Sequence, residues 1–223
     1  MSLKDKVILI TGASRGIGRA LALGFAAKEA IVVTSARTTK AGTSDAPGSL
    51  RETVEEIRRE GGRAHSFQCD VASEPQVRKL IEQTIATVGP VDVVINNAGV
   101  NTSGTITNLS AKDFDKVLAV NLRGVFLVCK YVIPGMKQRH QGNIINITSR
   151  SAIWDTENDL IYGASKAALD RFTVNLSLET KPYNIAVNAL GPGLIASMMT
   201  RNHDPLLDIW GRLPEPPEVV VPA

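Results

Sequence analysis

Thr11-Gly12-Ala13-Ser14-Arg15-Gly16-Ile17-Gly18 decides the fold through what stands on either side of it. Residues 7–10, Val-Ile-Leu-Ile, are a brief apolar, β-branched run that predicts a strand, and residues 17–28 carry apolar side chains at helical spacing. A glycine-rich turn leading from a strand into a helix is the setting in which a dinucleotide pyrophosphate is held. Gly12 permits the tight turn, Gly16 lets backbone approach the phosphates and Gly18 lets the helix pack closely. The free N–H groups at the helix start, around Ser14, Arg15 and Ile17, meet the negative charge. The spacing Gly-x-x-x-Gly-x-Gly is one residue longer at the front than the common Gly-x-Gly-x-x-Gly pattern, and glycines that serve packing alone are the plainer alternative.

Beyond this turn, short apolar runs alternate with longer amphipathic segments. Residues 7–10, 31–34, 64–69, 91–95, 143–147 and 185–189 predict strands, being brief, apolar or β-branched and bounded by turn residues. Residues 17–28, 50–60, 75–88, 111–139 and 162–180 predict helices, with Gly61-Gly62 and Gly89-Pro90 as stops. Strict alternation of this kind folds as an α/β, doubly wound parallel sheet with helices on both faces, Rossmann-like, whose ligands bind beyond the carboxyl ends of the strands. Residues 1–223 are read as one dinucleotide-binding and catalytic domain, within which 191–223 form a substrate lid and Pro-rich tail. The insert at 38–49, holding Gly42, Pro47 and Gly48, is expected to be a passive surface loop beside the adenine end.

Composition narrows the function classes. A net charge of +3 spread along 223 residues is too small to suggest a nucleic-acid partner. Cys69 and Cys129 are too few for a disulfide framework and lie in apolar stretches, as buried thiols of a cytoplasmic protein do. Met1 to Lys6 are too short and polar for a signal peptide, and no apolar run approaches the roughly 18 residues of a membrane span, so no membrane partner is expected.

An enzyme for NAD would place Asp or Glu at the end of the second strand to bind the ribose 2′-hydroxyl. Val33-Thr34-Ser35-Ala36-Arg37 has neither, and Arg37 together with Arg15 offers two guanidinium forks for a 2′-phosphate, which favours NADP(H). Tyr162 and Lys166 stand four apart at the start of a predicted helix, so their side chains share a face and act on one substrate. A phenol of pKa about 10 is a poor base near neutrality, and an adjacent ammonium and an oxidised nicotinamide are together expected to lower it. Asn121 sits inside an otherwise apolar helix, where a buried amide must find partners.

Taken in order, Thr11 to Gly18, Asp70-Val71, Asn96-Asn97-Ala98-Gly99, Asn121, Ser149, Tyr162-Gly163-Ala164-Ser165-Lys166 and Pro192-Gly193 resemble the short-chain dehydrogenase/reductase family over most of the chain. The resemblance implies hydride transfer between nicotinamide and a carbonyl or secondary alcohol carbon, with Tyr162 as general acid and base and Lys166 tuning it. Ser149 would bind the substrate oxygen, and Asn121 would hold a water in a proton relay and locally distort its helix; a core Asn satisfied by backbone is the alternative. Asn97, Ala98 and Gly99 would support the adenosine ribose, and Asp70 and Val71 would flank the adenine. Pro192, Gly193, Ile195 and Ser197 would meet the nicotinamide, Ser197 standing where Thr is more usual.

The substrate end is less legible. Met198, Met199, Leu206, Leu207, Ile209 and Trp210 suggest an adaptable apolar lid, with Ile153 and Trp154 as a facing wall, that would suit a medium-sized apolar carbonyl compound among small-molecule carbonyl or alcohol substrates; plain core or interface is the alternative for each. The family usually adds a seventh strand, which is not readable here, and it commonly forms homo-dimers or homo-tetramers on the long helices holding Asn121 and Tyr162. The competing readings are a catalytically silent nucleotide-binding sensor or scaffold of the same fold, and an acyl-transfer hydrolase, for which none of His65, His140 and His203 stands in a position that suggests a pair with Ser149.

Overall fold

Val7–Thr11 (β1), rich in β-branched residues, opens the fold, and Gly16–Ala27 (α1) follows the glycine turn directly. The computed structural model describes residues 2–40, 47–154 and 157–193. The order continues β2 (Ile31–Ala36), α2 (Leu50–Arg59), β3 (Arg63–Gln68), α3 (Glu74–Thr87) and β4 (Val93–Asn96). It ends with α4 (Ala111–Leu118), a π-helical turn (Ala119–Arg123), α5 (Gly124–Arg139), β5 (Gly142–Ile147), α6 (Leu160–Thr180) and β6 (Ile185–Leu190). These are the elements that periodicity predicts, displaced by a residue or two at their ends. The fourth strand, expected from 91, starts at Val93, and the Val91 carbonyl before it accepts from Arg139 at 2.8 Å.

All strands pair in parallel in the order β3-β2-β1-β4-β5-β6, the doubly wound sheet. Side chains alternate across it. Leu9, Val33, Val94 and Ile144 pack with Leu80, Leu127, Met136 and Leu169 of α3, α5 and α6. Ile8, Ile10, Val32 and Ile95 pack with Leu21, Phe25, Val54 and Ile57 of α1 and α2. Each such side chain, taken fully out of water, stabilises by roughly 1.5–3 kcal/mol. The order reverses between β1 and β4, and this switch point opens the crevice where such sheets hold ligands.

At one edge, β6 buries Ile185 and Val187 and exposes Leu190. The residues beyond Gly193 expected to form a lid and tail, including Ile195, Ser197, Met198 and Trp210, lie outside the described residues.

One expectation is corrected. α4, the π turn and α5 form a continuous helix, Ala111–Arg139, long and apolar enough by length and composition to cross a bilayer. Asn121, Arg123 and Lys130 interrupt its apolar runs, so the stretch is not readable as an unbroken apolar segment in the sequence. Half of its most apolar stretch is buried inside the fold, where Leu127, Val128, Val132 and Met136 join the core, so the helix has the character of one covering a buried sheet.

Candidate active site

The glycine turn is held from below by the loop after β4. Asn97 Nδ2 donates to the carbonyls of Thr11 at 2.9 Å and Gly12 at 3.1 Å, and Thr11 Oγ1 accepts from the backbone N–H groups of Asn97 and Ala98, each at 3.1 Å. Gly12 has φ +69°, and a side chain there would meet Ala98 Cα at 2.8 Å, so only glycine serves. A Cβ on Gly18 would collide with Asn97 Nδ2 and the Gly12 carbonyl. Gly12, Gly18, Asn97 and Ala98 thus form one clamp. α1 begins with no side-chain cap and no acidic residue in its first turn, which leaves its N–H groups and positive end for an anion. This donor set fits a dinucleotide pyrophosphate.

The insert at 38–49 is not passive at its described ends. Ser49 is fully buried, and Thr53 Oγ1 donates to the Ala13 carbonyl of the glycine turn at 3.1 Å. Backbone bonds run from Leu50 N to Thr38 O and from Arg51 N to Thr39 O. Arg15 Nη2 donates to Thr38 Oγ1 and to the Gly48 carbonyl, each at 3.2 Å, which places this guanidinium over the loop that follows β2. Arg37 stands exposed at the end of the same strand.

After β3, Asp70 and Val71 show turn and packing chemistry. Asp70 Oδ1 accepts from Ala72 N at 3.0 Å, Asp70 N donates to Gln76 Oε1 at 2.9 Å, and buried Val71 packs on Gly124. The loop at 191–193 runs beside the end of β5: a Cβ on Gly191 would lie 3.3 Å from Thr148 Oγ1, and one on Gly193 would lie 3.6 Å from Arg150 Nη1.

Tyr162, Lys166 and Ser149 converge at the carboxyl end of β5. Lys166 Nζ lies 5.5 Å from the Tyr162 ring centroid and donates to the Ile147 carbonyl at 2.7 Å. Burial lowers Lys166 to a pKa of about 8, against the nearby charge of Asp170. Burial also pushes the Tyr162 phenol up to about 12, opposed by a hydrogen bond with Ser149 and reinforced by Asp159. Without the charge of an oxidised nicotinamide, desolvation of the phenolate is the largest influence on the ring and raises it.

Asn121 is fully buried inside the π turn, so the local helix distortion expected around it is present. Its Oδ1 accepts from Val100 N at 2.9 Å, while Nδ2 donates to Val100 O at 2.9 Å and to Ser165 Oγ at 3.0 Å. Ser165 Oγ in turn donates to the Tyr162 carbonyl at 2.7 Å. The side chain therefore ties the loop after β4 to α6, as a satisfied core amide does. Gly99 stands between this clamp and the lysine: a Cβ there would sit 3.5 Å from Asn121 Oδ1 and 3.7 Å from Lys166 Nζ.

Two features escaped the sequence argument. Asn96 Nδ2 donates to Asn146 Oδ1 at 2.9 Å, and Asn146 Nδ2 donates to Thr173 Oγ1 at 2.8 Å, a buried polar ladder from β4 through β5 to α6. Asparagines inside strands are its only local signal. The second is Trp154, expected as bare apolar wall: it lies under the Arg150 guanidinium, 3.5 Å from carbon to ring centroid. Ile153, the other wall residue, is 77% exposed. Both thiols are buried and raised, Cys69 to about 11 and Cys129 to about 12, so neither supplies a thiolate nucleophile near neutrality. No cluster of metal ligands occurs among the described residues.

A family model described as short chain dehydrogenase matches residues 6–206. A 3-oxoacyl-[acyl-carrier-protein] reductase of Synechocystis sp. is 37% identical over 223 residues, 98% of this chain and 87% of the relative. An uncharacterized oxidoreductase of Thermotoga maritima is 37% identical over 197 residues, 88% of this chain and 74% of the relative. Among solved structures, a 3-oxoacyl (acyl-carrier-protein) reductase of Agrobacterium tumefaciens C58 with NADP bound superposes with a TM-score of 0.87 at 28% identity, covering 99% of this chain and 86% of that one. Sequence and architecture agree: the chain belongs to the short-chain dehydrogenase/reductase family of oxidoreductases.

Proposed function

We propose that the protein is an NADP(H)-dependent carbonyl reductase or alcohol dehydrogenase with Tyr162 as its general acid and base. The observation that carries this reading is the Tyr162–Ser149 hydrogen bond beside the buried Lys166, at the strand ends that also bear the glycine turn. Bound cofactor supplies the hydride and, once oxidised, a positive ring charge. A phenol raised to about 12 stays protonated at neutral pH, the form that donates to a carbonyl oxygen as hydride arrives at its carbon. Ser149 holds that oxygen by a hydrogen bond. In the oxidative direction the Lys166 ammonium stabilises the phenolate that accepts the alcohol proton. Asn121 Oδ1 and Lys166 Nζ both lie near Gly99, and a water held there would carry the proton onward.

The cofactor contacts assigned are Gly12, Ser14, Arg15, Gly16, Ile17 and Gly18 for the pyrophosphate, Asp70, Val71, Asn97, Ala98 and Gly99 for the adenosine half, and Pro192 and Gly193 for the nicotinamide. NADP(H) over NAD(H) is supported by Arg15 reaching Thr38, by Arg37 at the end of β2, and by the absence of a carboxylate in Ile31–Ala36. The NADP held by the Agrobacterium relative points the same way. The substrate is a small carbonyl compound or alcohol, and buried free thiols suit a cytoplasmic setting. Assembly as a homo-dimer or homo-tetramer is supported by an open groove of about 660 Å³ between the long helices, lined by Leu118, Leu122, Phe126 and Phe172.

Following NADPH and NADH consumption with ketones, aldehydes and acyl thioesters tests this. Wild-type turnover is expected with NADPH preferred, and Tyr162→Phe should lose at least a hundredfold in kcat. Unchanged turnover in Tyr162→Phe removes the mechanism. A preference for NADH removes the cofactor assignment, and tight NADPH binding without any turnover favours the sensor or scaffold reading.

A further inference from the structure

Ala13, inside the glycine turn, is fully buried and is held from two sides. Its N–H donates to the Ser35 carbonyl of β2 at 3.1 Å, and its carbonyl accepts from Thr53 Oγ1 of α2 at 3.1 Å. Thr53 Oγ1 also lies 3.1 Å from the Ser49 carbonyl, but that carbonyl already accepts the Thr53 N–H at 3.2 Å. The hydroxyl has one proton to give, and of its two acceptors Ala13 is the one outside its own helix. The next carbonyl of the turn meets the same corner of the fold: a Cβ on Gly48 would lie 2.7 Å from Ser14 O. We infer that Thr53 is a positioning residue for the dinucleotide, holding the Ala13 carbonyl toward α2 and thereby turning the Ser14 N–H to the pyrophosphate. This rests on the assignment of the glycine turn to the pyrophosphate and adds a residue from a helix outside that turn.

The link is the planarity of the peptide. In a trans peptide the carbonyl and the following N–H point to opposite sides, so whatever fixes the Ala13 carbonyl also fixes the Ser14 N–H. Gly12 and Gly16 flank this peptide and leave the turn little stiffness of its own. A buried carbonyl deprived of its donor rotates to find another, and the Ser14 N–H rotates with it. Thr53 is itself fully buried, so its rotamer is set by the packing of α2. A threonine that only satisfies its own helix exists in the same protein. Thr84 of α3 is equally buried and donates to the Leu80 carbonyl at 2.8 Å, a bond that stays inside one helix.

The test compares wild type, Thr53→Val, Thr53→Ser, Gly48→Ala and Thr84→Val. Calorimetry gives Kd for NADP+ and for NAD+, and NADPH consumption with a reducible ketone gives kcat and KM. Thr53→Val is expected to weaken both dinucleotides by the same factor, about tenfold, since both carry the pyrophosphate. KM for NADPH should rise with it, while kcat at saturation stays within about twofold of wild type. Thr53→Ser, which keeps the hydroxyl, should bind as wild type does, and so should Thr84→Val. Gly48→Ala presses on the neighbouring carbonyl and should also weaken both dinucleotides. Undiminished affinity in Thr53→Val overturns the positioning role, and should that variant not fold, undiminished affinity in Gly48→Ala does so. The same loss in Thr84→Val, or a loss confined to NADP+, overturns it as well. A wild type that binds neither dinucleotide overturns it together with the cofactor reading. The expected losses without turnover of any ketone leave Thr53 in its role and remove the hydride-transfer reading, and the expected losses with NADH preferred remove only the NADP(H) assignment.

Discussion

Lys166 and Tyr162 stand one helical turn apart, and burial moves their proton affinities past each other: the lysine falls to about 8 while the phenol rises to about 12. The fold therefore holds an ammonium at a loss of stability. Between pH 8 and 10.5 the unfolded chain keeps a proton that folded Lys166 releases, so stability rises with pH across that window and the penalty is complete below it. The span from 10.5 to about 8 corresponds to about 3 kcal/mol, from which the bond to the Ile147 carbonyl, worth about 1 kcal/mol, is to be subtracted. Lys166→Met is thus expected to unfold with about 2 kcal/mol more resistance at pH 7, to lose that gain by pH 11, and to turn nothing over. Urea titrations at the two pH values measure it, and a variant weakened at pH 7 contradicts the assignment. At this scale the chemistry was legible where it is local: the Tyr162–Lys166 spacing and the glycines of the turn state their roles in a few residues. The direction of the phenol's shift was not, because desolvation depends on everything packed around the ring.

At the scale of elements, the structure is tied together by buried amides. Asn121 spans from the π turn to Val100 and Ser165, closing the loop after β4 onto α6. Asn121→Leu leaves the Val100 N–H and carbonyl without those partners, and a loss of about 2–4 kcal/mol in unfolding free energy is expected. Ser165→Ala, which removes one bond from each end, should lose about 1 kcal/mol. Equal stability of Asn121→Leu and wild type in urea would refute the clamp. Periodicity revealed the helix and the anomaly of an amide inside it, and strand and helix boundaries followed from turn residues. The partners did not follow. Asn146 and Thr173 are 27 positions apart, and Arg150 meets Trp154 only because a 3-10 turn folds the chain back between them.

For the whole molecule, alternation of strand and helix signals was enough to predict the sheet, since parallel strands need crossovers of one hand. What alternation does not predict is the outer surface. Phe114 and Phe126 are each 47% exposed, and Leu178 is 67% exposed, on the long helices that cover one face. An apolar surface of that kind is expected to meet a second copy. Phe126→Glu should turn the assembly into a monomer with an unchanged circular dichroism spectrum, as judged by light scattering after sizing; a wild type that is already monomeric at micromolar concentration refutes the assembly.

The π turn at Ala119–Arg123 is wider than the α-helical turns on either side, accommodating one residue more than an α-helical turn does. Val120 within it and Leu127 after it reach the same core, and Val117 before it is buried. A single deletion within 119–123 would let the rod close as ordinary α-helix and would carry Asn121 off the Val100 and Ser165 partners it now holds, so the surplus residue and the closure of that loop stand or fall together.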